Sequence, residues 1–417
     1  MKIAVIGAGI VGVTTAYELA TDGHEVTVFE RHGTAAEEAS FANAGIVAPG
    51  YVTPWAAPGL PLKVLSQLFG GFAPVKLCWP LSSAELTWLW KFYRACRIET
   101  YLANRARMHR LACYSRERLH QVTKDLQLGY DRSEGYLILL RSEQDRKRMQ
   151  SSLQVLTEAG IAWQELSTEI AQKIEPALNP RMKFHSAVNV LGDEVGNCRE
   201  FALLLKNEAQ AKGVNFVFNS VVTRIDVTPA VQVHLQNPKT ALLFDAVVMC
   251  AGLASAPLLR PLGLKIPMAP VYGYSVSAPL REPLNAPRSA VMDERYKVAI
   301  TRLGNRIRVA GNAEIGGSPL HKNENAILTL YKVLNDWFPG AAQHSTGVQV
   351  WKGARPMLPD GPPLLGASGI PGLWLNCGHG SSGWALSCGS ARAVADLITN
   401  KKPAIDLAGF GVARLTG

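Results

Sequence analysis

Residues 2–12 read KIAVIGAGIVG, a short apolar run that leads into three glycines within six positions. The run Lys2–Ile6 predicts a strand, and the residues after the second glycine predict a helix of about three turns. A second strand is predicted over Glu25–Phe29, with the acid Glu30 at its C-terminal end. Strand, glycine turn, helix, strand and terminal acid in this order predict a βαβ unit that binds a dinucleotide.

Each glycine of this motif has a physical task. Gly7 permits the tight turn after the strand, Gly9 lets the backbone approach a pyrophosphate, and Gly12 allows the helix to pack closely on the strand. The helix N-terminus offers free amides and the positive end of its dipole to the phosphates. We expect Glu30 to accept hydrogen bonds from a ribose.

The segment that follows favours FAD over NAD. Residues 39–50, ASFANAGIVAPG, are small and uncharged. They suit a close-fitting, amide-rich loop around an isoalloxazine ring, whereas a nicotinamide enzyme more often continues with a further βα unit at this point. We therefore expect non-covalently bound FAD.

The rest of the chain indicates two domains. KVAITRLGNRIRVAG (297–311) predicts a hairpin around Gly304-Asn305, whereas the C-terminus returns to a strand, a glycine turn and a helix. We predict an α/β fold: a Rossmann-like FAD-binding domain with an inserted α+β substrate domain built on a mostly antiparallel sheet. The expected division gives residues 1–60, 190–262 and 345–417 to the FAD-binding domain and 61–189 and 263–344 to the substrate domain.

Composition excludes several classes of protein. Seven cysteines without a C-x-x-C pair argue against a disulfide framework, and nine histidines without an H-x-x-x-H argue against a metal site. The N-terminal glycines do not fit a signal peptide, and no run of about 20 residues is apolar enough to span a bilayer. We expect a protein on the cytoplasmic side of the inner membrane, attached peripherally.

A basic, aromatic segment supports that expectation. The chain carries a net charge of +10, and residues 91–118 concentrate basic side chains shortly after several tryptophans. One interpretation of 55–118 is a membrane-facing surface that meets anionic lipid. The alternative is a solvated basic helix beside a partly buried loop. Nucleic acid is not expected as a partner, because no recognition motif accompanies the charge.

Six stretches resemble the glycine/D-amino acid oxidase family of FAD enzymes, and within it the D-amino acid dehydrogenase (small subunit) branch. They are VIGAGIVGVTTAYEL (5–19), SFANAGIVAPGYVTPWAAPG (40–59), DEVGNC (193–198), DERYKVAITRLGNRIRVAGNAEI (293–315), GARPMLPDGPPLLG (353–366) and WLNCGHGSSGW (374–384). The resemblance implies FAD, oxidative deamination of D-amino acids, and delivery of electrons to a membrane quinone or another acceptor that is not oxygen.

The implied chemistry needs few side chains. Hydride leaves Cα for the flavin, so the protein mainly orients the substrate. Arg355 matches the carboxylate-binding position of the family, and Tyr274, Tyr296 and His379 are further candidates for contacts with the carboxylate or the amine. The residues that we expect to contact the cofactor are Ile6, Gly7, Gly9, Ile10, Val11, Gly12, Glu30, Arg31, Ser40, Asn43, Ala44, Gly45, Val222, Ala251, Gly252, Gly353, Gly378, His379, Gly380, Ser381, Gly383 and Trp384.

The sequence departs from the family pattern at the predicted pocket. Tyr272 stands where a lysine is expected, Ala354 replaces a leucine, and Ser381-Ser382 replace threonine-leucine. These departures leave a dehydrogenase for D-proline or a hydroxyproline isomer open. Two further alternatives are an oxygen-using amine oxidase of the glycine or sarcosine type and, more remotely, an FAD protein that acts on modified tRNA, which the basic segment could serve.

Overall fold

The computed structural model describes residues 1–59, 75–158 and 160–415. Within these ranges the strands are β1 (Lys2–Ile6), β2 (Glu25–Phe29), β3 (Ile46–Val47), β4 (Val75–Cys78), β5 (Arg132–Glu134), β6 (Tyr136–Leu140), β7 (Trp163–Leu166), β8 (Ser186–Val190), β9 (Glu194–Gly196), β10 (Asn215–Val217), β11 (Val222–Asp226), β12 (Val231–Leu235), β13 (Ala241–Phe244), β14 (Ala246–Met249), β15 (Ala269–Pro279), β16 (Ala290–Asp293), β17 (Val298–Leu303), β18 (Arg306–Gly316), β19 (Gln349–Met357), β20 (Leu364–Ala367) and β21 (Leu373–Cys377). The helices are α1 (Ile10–Thr21), α2 (Ser83–Ala95), α3 (Ile98–Asp125), α4 (Glu143–Glu158), α5 (Thr168–Ile174), α6 (Cys198–Ala211), α7 (Ser255–Leu259), α8 (Glu324–Trp337) and α9 (Gly383–Ile398).

A six-stranded sheet forms the dinucleotide-binding layer. Its order is β10-β2-β1-β14-β21-β20, and its strands are parallel except for β20, which runs antiparallel to β21. The central strands β1 and β14 are buried except for Lys2 at the start of β1, as continuous apolar runs in a parallel sheet require. Helix α1 leaves β1 directly and packs against α9, which follows β21. The two ends of the chain therefore meet in one layer.

A second, larger sheet has nine strands. Its order is β19-β15-β18-β17-β16-β6-β8-β7, with β4 paired to β18, and all of its pairs are antiparallel except β16–β6 and β18–β4. The predicted hairpin is confirmed as β17 and β18, which turn at Gly304-Asn305. The expected combination of a parallel α/β layer with a mostly antiparallel substrate sheet is confirmed.

The expected domain division differs from the packing in two places. Strand β19 belongs to the predicted FAD-binding segment 345–417, yet it pairs with β15 in the large sheet. Helix α3 belongs to the predicted substrate segment 61–189, yet its apolar face joins the core around β1 and α9. Both differences arise from contacts between residues that are far apart in sequence. Part of the expected membrane-facing segment, residues 60–74, lies outside the described residues.

Candidate active site

A cavity of about 690 Å³ is lined by residues of both sheets. The six-stranded sheet contributes the turn after β1 and the turn after β21, and the large sheet contributes β15, β17, β18 and β19. The segment 39–55 forms a further wall. Most of the predicted site residues meet at this cavity, so the topology brings together segments from both ends of the chain.

The β1–α1 turn has the geometry that a pyrophosphate requires. Gly7 has φ 99°, which favours glycine. A Cβ on Gly12 would lie 1.8 Å from the carbonyl oxygen of Gly7, so only glycine lets the helix start this close to the strand. A Cβ on Gly9 would meet only Ser40 Oγ, at 3.5 Å. Gly9 therefore leaves space for a ligand beside the backbone amides at the start of α1.

Glu30 lines the cavity at the end of β2. Its carboxylate accepts hydrogen bonds from the backbone amides of Ala8, at 2.7 Å, and His32, at 2.9 Å. These bonds fix the carboxylate at the end of β2, where a ribose hydroxyl can donate to it. Arg31 pairs with Glu38 at the exposed edge, and Val222 lines the same region. The donors and acceptors here fit an adenine dinucleotide.

The loop 43–45 is held from the large sheet. Arg308 Nη1 donates to the carbonyl of Asn43 at 3.0 Å, and Thr301 Oγ1 donates to the carbonyl of Ala44 at 2.8 Å. Trp384 Nε1 donates to the carbonyl of Gly45 at 3.2 Å. Every carbonyl of this loop thus accepts a hydrogen bond, and Asn43, Ala44 and Gly45 all line the cavity. This arrangement suits a close-fitting loop around a planar ring.

The turn between β21 and α9 forms the opposite wall. Gly378 and Gly380 have φ 79° and 58°, which favours glycine, and a Cβ at these positions would meet Leu358 and Met357, each at 2.6 Å. His379 is buried, and its Nε2 lies 3.0 Å from Ser390 Oγ inside the helix. Burial lowers the pKa of His379 to about 3, so the imidazole is neutral at physiological pH. Any negative charge at this wall therefore meets the N-terminal end of α9 rather than an imidazolium.

Arg355 presents its guanidinium to the cavity from β19. Its Nη1 donates to the carbonyl oxygens of Asn312, at 3.1 Å, and Tyr272, at 3.4 Å. Among the described residues no carboxylate pairs with it. Burial lowers its pKa to about 10, so it remains a cation at neutral pH. The guanidinium lies 5.6 Å from the ring centroid of Trp55, a residue of the segment 49–59.

The space for this guanidinium depends on a glycine in the neighbouring strand. A Cβ on Gly273 would lie 2.3 Å from Arg355 Nη2. Gly353, the partner of Gly273 in β19, is covered by the indole of Trp351. Every second residue of β19 lies on the same face of the strand. On the face that includes Arg355, the cavity is lined by Trp351, Gly353 and Arg355.

Two predicted residues do not have the expected contacts. Tyr274 lies at the cavity, but its hydroxyl donates to Glu314 Oε2 at 3.0 Å and accepts from the amide of Asn323 at 3.1 Å. Tyr296 does not belong to the described lining. Its ring lies 4.8 Å from the guanidinium carbon of Arg141, outside the cavity. Tyr274 therefore lies at the cavity with its hydroxyl bonded to Glu314 and Asn323, whereas Tyr296 is not among the described lining residues.

Some of the residues that depart from the family pattern line the cavity, and one does not. Ala354, Ser381 and Ser382 line the cavity, whereas the lining defined by the described residues does not include Tyr272. The Tyr272 ring lies 4.4 Å from Lys352 Nζ. Of the predicted cofactor residues, Gly12 acts through helix packing and the others line the cavity.

Several lining residues are absent from the predicted set. Glu294, Lys297 and Tyr51 form a hydrogen-bonded group at one end of the cavity, with Tyr51 Oη donating to Glu294 Oε2 at 3.0 Å. Arg105 reaches the cavity from α3. A buried, charged position on a long helix is not visible in the sequence until the helix face is known. For Trp351, the two-residue spacing from Arg355 is a usable signal.

Comparison with known proteins agrees with this geometry. The family described as FAD dependent oxidoreductase matches residues 2–397. The D-amino acid dehydrogenase of Bradyrhizobium diazoefficiens is 41% identical over 416 residues, 99% of each chain, and that of Cereibacter sphaeroides is 42% identical over 99% of this chain and 95% of its own. Among solved structures, glycine oxidase from Geobacillus kaustophilus has a TM-score of 0.77 at 22% identity, covering 99% of this chain and 98% of its own. The L-proline dehydrogenase from P. horikoshii has a TM-score of 0.75 at 17% identity, covering 100% and 97%. The chain belongs to the family of FAD-dependent oxidoreductases, and FAD is its cofactor.

Proposed function

We propose that this protein oxidises D-amino acids to imines, which water then hydrolyses to 2-oxo acids and ammonia. When bound, FAD supplies the acceptor for the two electrons and the hydrogen that leave Cα. The protein's contribution is to bind the substrate, orient Cα and stabilise charge. The names of the relatives at 41% and 42% identity support this substrate class.

Arg355 is the observation that carries the proposal. A partly buried arginine that, within the described residues, donates to backbone carbonyls alone retains donors for a planar anion, and a carboxylate matches the guanidinium in a bidentate geometry. An amino acid always carries that group next to Cα. Fixing the carboxylate at Arg355 therefore fixes the position of the reacting carbon.

Anaerobic reduction of the flavin tests this function directly. We expect D-amino acids to bleach the visible absorbance of the FAD-loaded protein, and their L-enantiomers to leave it unchanged at the same concentration. Bleaching by D-proline or hydroxyproline alone would select the cyclic imino acids instead. If no D-amino acid bleaches the flavin, the proposal is wrong.

We further propose that a membrane quinone accepts the electrons. The reduced protein should then react with a soluble quinone analogue much faster than with air. Rapid reoxidation in air without any response to the quinone would indicate an oxygen-using amine oxidase.

A stripe of exposed aromatic side chains supports attachment to a membrane surface. Leu86, Trp90 and Tyr93 follow one face of α2 at spacings of four and three residues, and we call them the aromatic stripe. Trp90 is 60% and Tyr93 58% exposed, and their rings stack at 5.9 Å. Exposed Ile98 and Leu102 continue the stripe onto α3. Tryptophan and tyrosine are the residues that favour the lipid headgroup region.

Basic side chains border the aromatic stripe and favour anionic lipid. Arg94 and Arg97 are exposed beside it, and Lys91 lies on the same helix. Such a combination holds a protein at a bilayer surface through burial of apolar area and electrostatic attraction. Within the described ranges, no helix combines the length and hydropathy needed to cross a bilayer.

Replacing both Trp90 and Tyr93 by serine is expected to weaken binding to anionic vesicles at least about tenfold, because two interfacial aromatic rings are lost. Cosedimentation of the FAD-loaded protein with phosphatidylserine vesicles measures this effect. Leu328→Ser is the matched control, since Leu328 is 63% exposed on the distant helix α8. Equal vesicle binding by all three proteins would contradict the membrane role. A dimer in sedimentation velocity that the double substitution dissociates would also contradict it, because the aromatic stripe would then be a contact between two copies.

A further inference from the structure

A second arginine, more deeply buried than Arg355, lies at the same cavity. Arg105, on α3, is only 6% exposed and belongs to the cavity lining. Its Nη1 donates to the hydroxyl of Tyr101 at 3.1 Å, one helical turn earlier. No carboxylate pairs with it among the residues that the structure describes. A buried cation without a counter-ion is costly, so its retention beside a substrate cavity calls for a reason.

Arg105 and Arg355 both line this cavity, from α3 and from β19. The segment 49–55 lies along α3: His109 Nδ1 lies 3.1 Å from the carbonyl oxygen of Pro49. A Cβ on Gly361 would meet both Pro54 Cβ, at 2.9 Å, and Met108 Sδ, at 3.2 Å. Arg105 precedes His109 on α3 by about one helical turn, roughly 5.4 Å along the axis, and it lines the cavity together with Trp55. Trp55 is the ring against which the Arg355 guanidinium lies.

The surrounding chain supplies no negative charge for this pair of arginines. Residues 39–84, which include the segment along α3, contain no aspartate or glutamate. Glu85 is used in capping α2, where it accepts from the amide and hydroxyl of Ser82. The backbone carbonyl of Asp360 accepts a hydrogen bond from Asn104, and its carboxylate oxygen Oδ2 lies 2.8 Å from Arg414 Nε. The glutamates of the described lining have other partners: Glu294 pairs with Lys297, Glu37 with Arg199 and Glu38 with Arg31, and Glu30 accepts from the amides of Ala8 and His32.

We infer that Arg105 binds the side-chain carboxylate of an acidic D-amino acid, so that the preferred substrates are D-glutamate and D-aspartate. This inference rests on the proposed D-amino acid activity. The α-carboxylate pairs with Arg355 and the side-chain carboxylate pairs with Arg105. Each buried cation then gains the counter-ion that the protein does not provide. A neutral side chain would leave Arg105 desolvated and unpaired.

Isosteric substrate pairs test the inference. For the FAD-loaded wild-type protein we expect kcat/KM for D-glutamate to exceed that for D-glutamine at least about tenfold, the effect of a hydrogen bond between charged groups. In Arg105→Gln this ratio should fall at least about tenfold, with kcat/KM for D-alanine changed by less than about threefold. Arg110→Gln is the matched control, because Arg110 lies on the same helix and pairs with the exposed Asp406.

The outcomes separate this inference from the proposed function. If D-alanine and D-glutamine reduce the flavin but D-glutamate is not preferred, the inference is wrong while the D-amino acid activity stands. An equal loss for D-alanine and D-glutamate in Arg105→Gln would also overturn it, since Arg105 would then bind the α-carboxylate. If Arg105→Gln fails to fold, Arg105→Lys keeps the charge and should retain a preference for D-glutamate. Loss of that preference in a folded, FAD-loaded Arg105→Lys would overturn the inference.

Discussion

Replacing Arg355 by methionine is expected to lower kcat/KM about a thousandfold for every D-amino acid that reduces the flavin. Removing one partner from a buried, bidentate ion pair costs about 4 kcal/mol, which corresponds to this factor. Methionine fills a similar volume, and the guanidinium is bonded only to backbone carbonyls, so the fold should persist. Steady-state kinetics with a quinone analogue measures the loss.

Two further measurements show whether Arg355 acts on the substrate carboxylate. Arg355→Lys retains the positive charge but not the planar guanidinium. Its kcat/KM should therefore lie between the values of the wild type and Arg355→Met. An unreactive carboxylate should raise the thermal unfolding temperature of the wild type, since it pairs with a buried cation, and should leave that of Arg355→Met unchanged. FAD content should be equal in all three proteins. A kcat/KM of Arg355→Met within threefold of the wild-type value would show that Arg355 does not bind the substrate carboxylate.

The local parts of the fold could be predicted from the sequence. Strand β1, helix α1 and strand β2 are confirmed because apolar periodicity, glycine positions and the terminal acid are short-range signals. The β17–β18 hairpin follows from alternation around Gly304-Asn305 for the same reason. The assignment of β19 could not be predicted in this way. Its partner β15 lies about eighty residues earlier, and only the folded sheet shows that pairing.

The site could be predicted by segment but not by side-chain direction. Arg355 was placed by its motif, and the structure puts it at the cavity. Tyr274 is at the cavity as well, but Glu314 and Asn323, both distant in sequence, take its hydroxyl. Tyr296 lies in the turn between β16 and β17, where neither strand period fixes the side chain, and Arg141 holds its ring elsewhere. The place of Arg105 at the cavity could not be predicted, because a basic helix is expected to be solvated. Only the packing of α3 against 49–55 shows which of its faces is buried.

Gly12→Ala is expected to weaken FAD binding about tenfold to a hundredfold, because losing a hydrogen bond from α1 to a charged phosphate costs about 1.5–3 kcal/mol. The added Cβ would stand 1.8 Å from the Gly7 carbonyl oxygen and 2.9 Å from its carbonyl carbon. Backbone atoms cannot rotate away as a side chain can, so α1 must move off β1. The apoprotein should also lose about 1–3 kcal/mol of unfolding free energy through overpacking.

Gly9→Ala separates the approach of the ligand from the packing of the helix. Its Cβ would meet only Ser40 Oγ at 3.5 Å, so the free energy of unfolding of the apoprotein should change by less than about 1 kcal/mol. FAD affinity should nevertheless fall, because the methyl group occupies the space through which the pyrophosphate reaches the amides of α1. Gly33→Ala, whose Cβ would lie 3.6 Å from Asn219 Oδ1, is the control and should change neither quantity. Fluorescence titration of apoprotein with FAD and chemical denaturation give both numbers for each variant. If Gly9→Ala bound FAD like the wild type, the dinucleotide would have to lie elsewhere in the cavity, and the assignment of this turn to the pyrophosphate would be wrong.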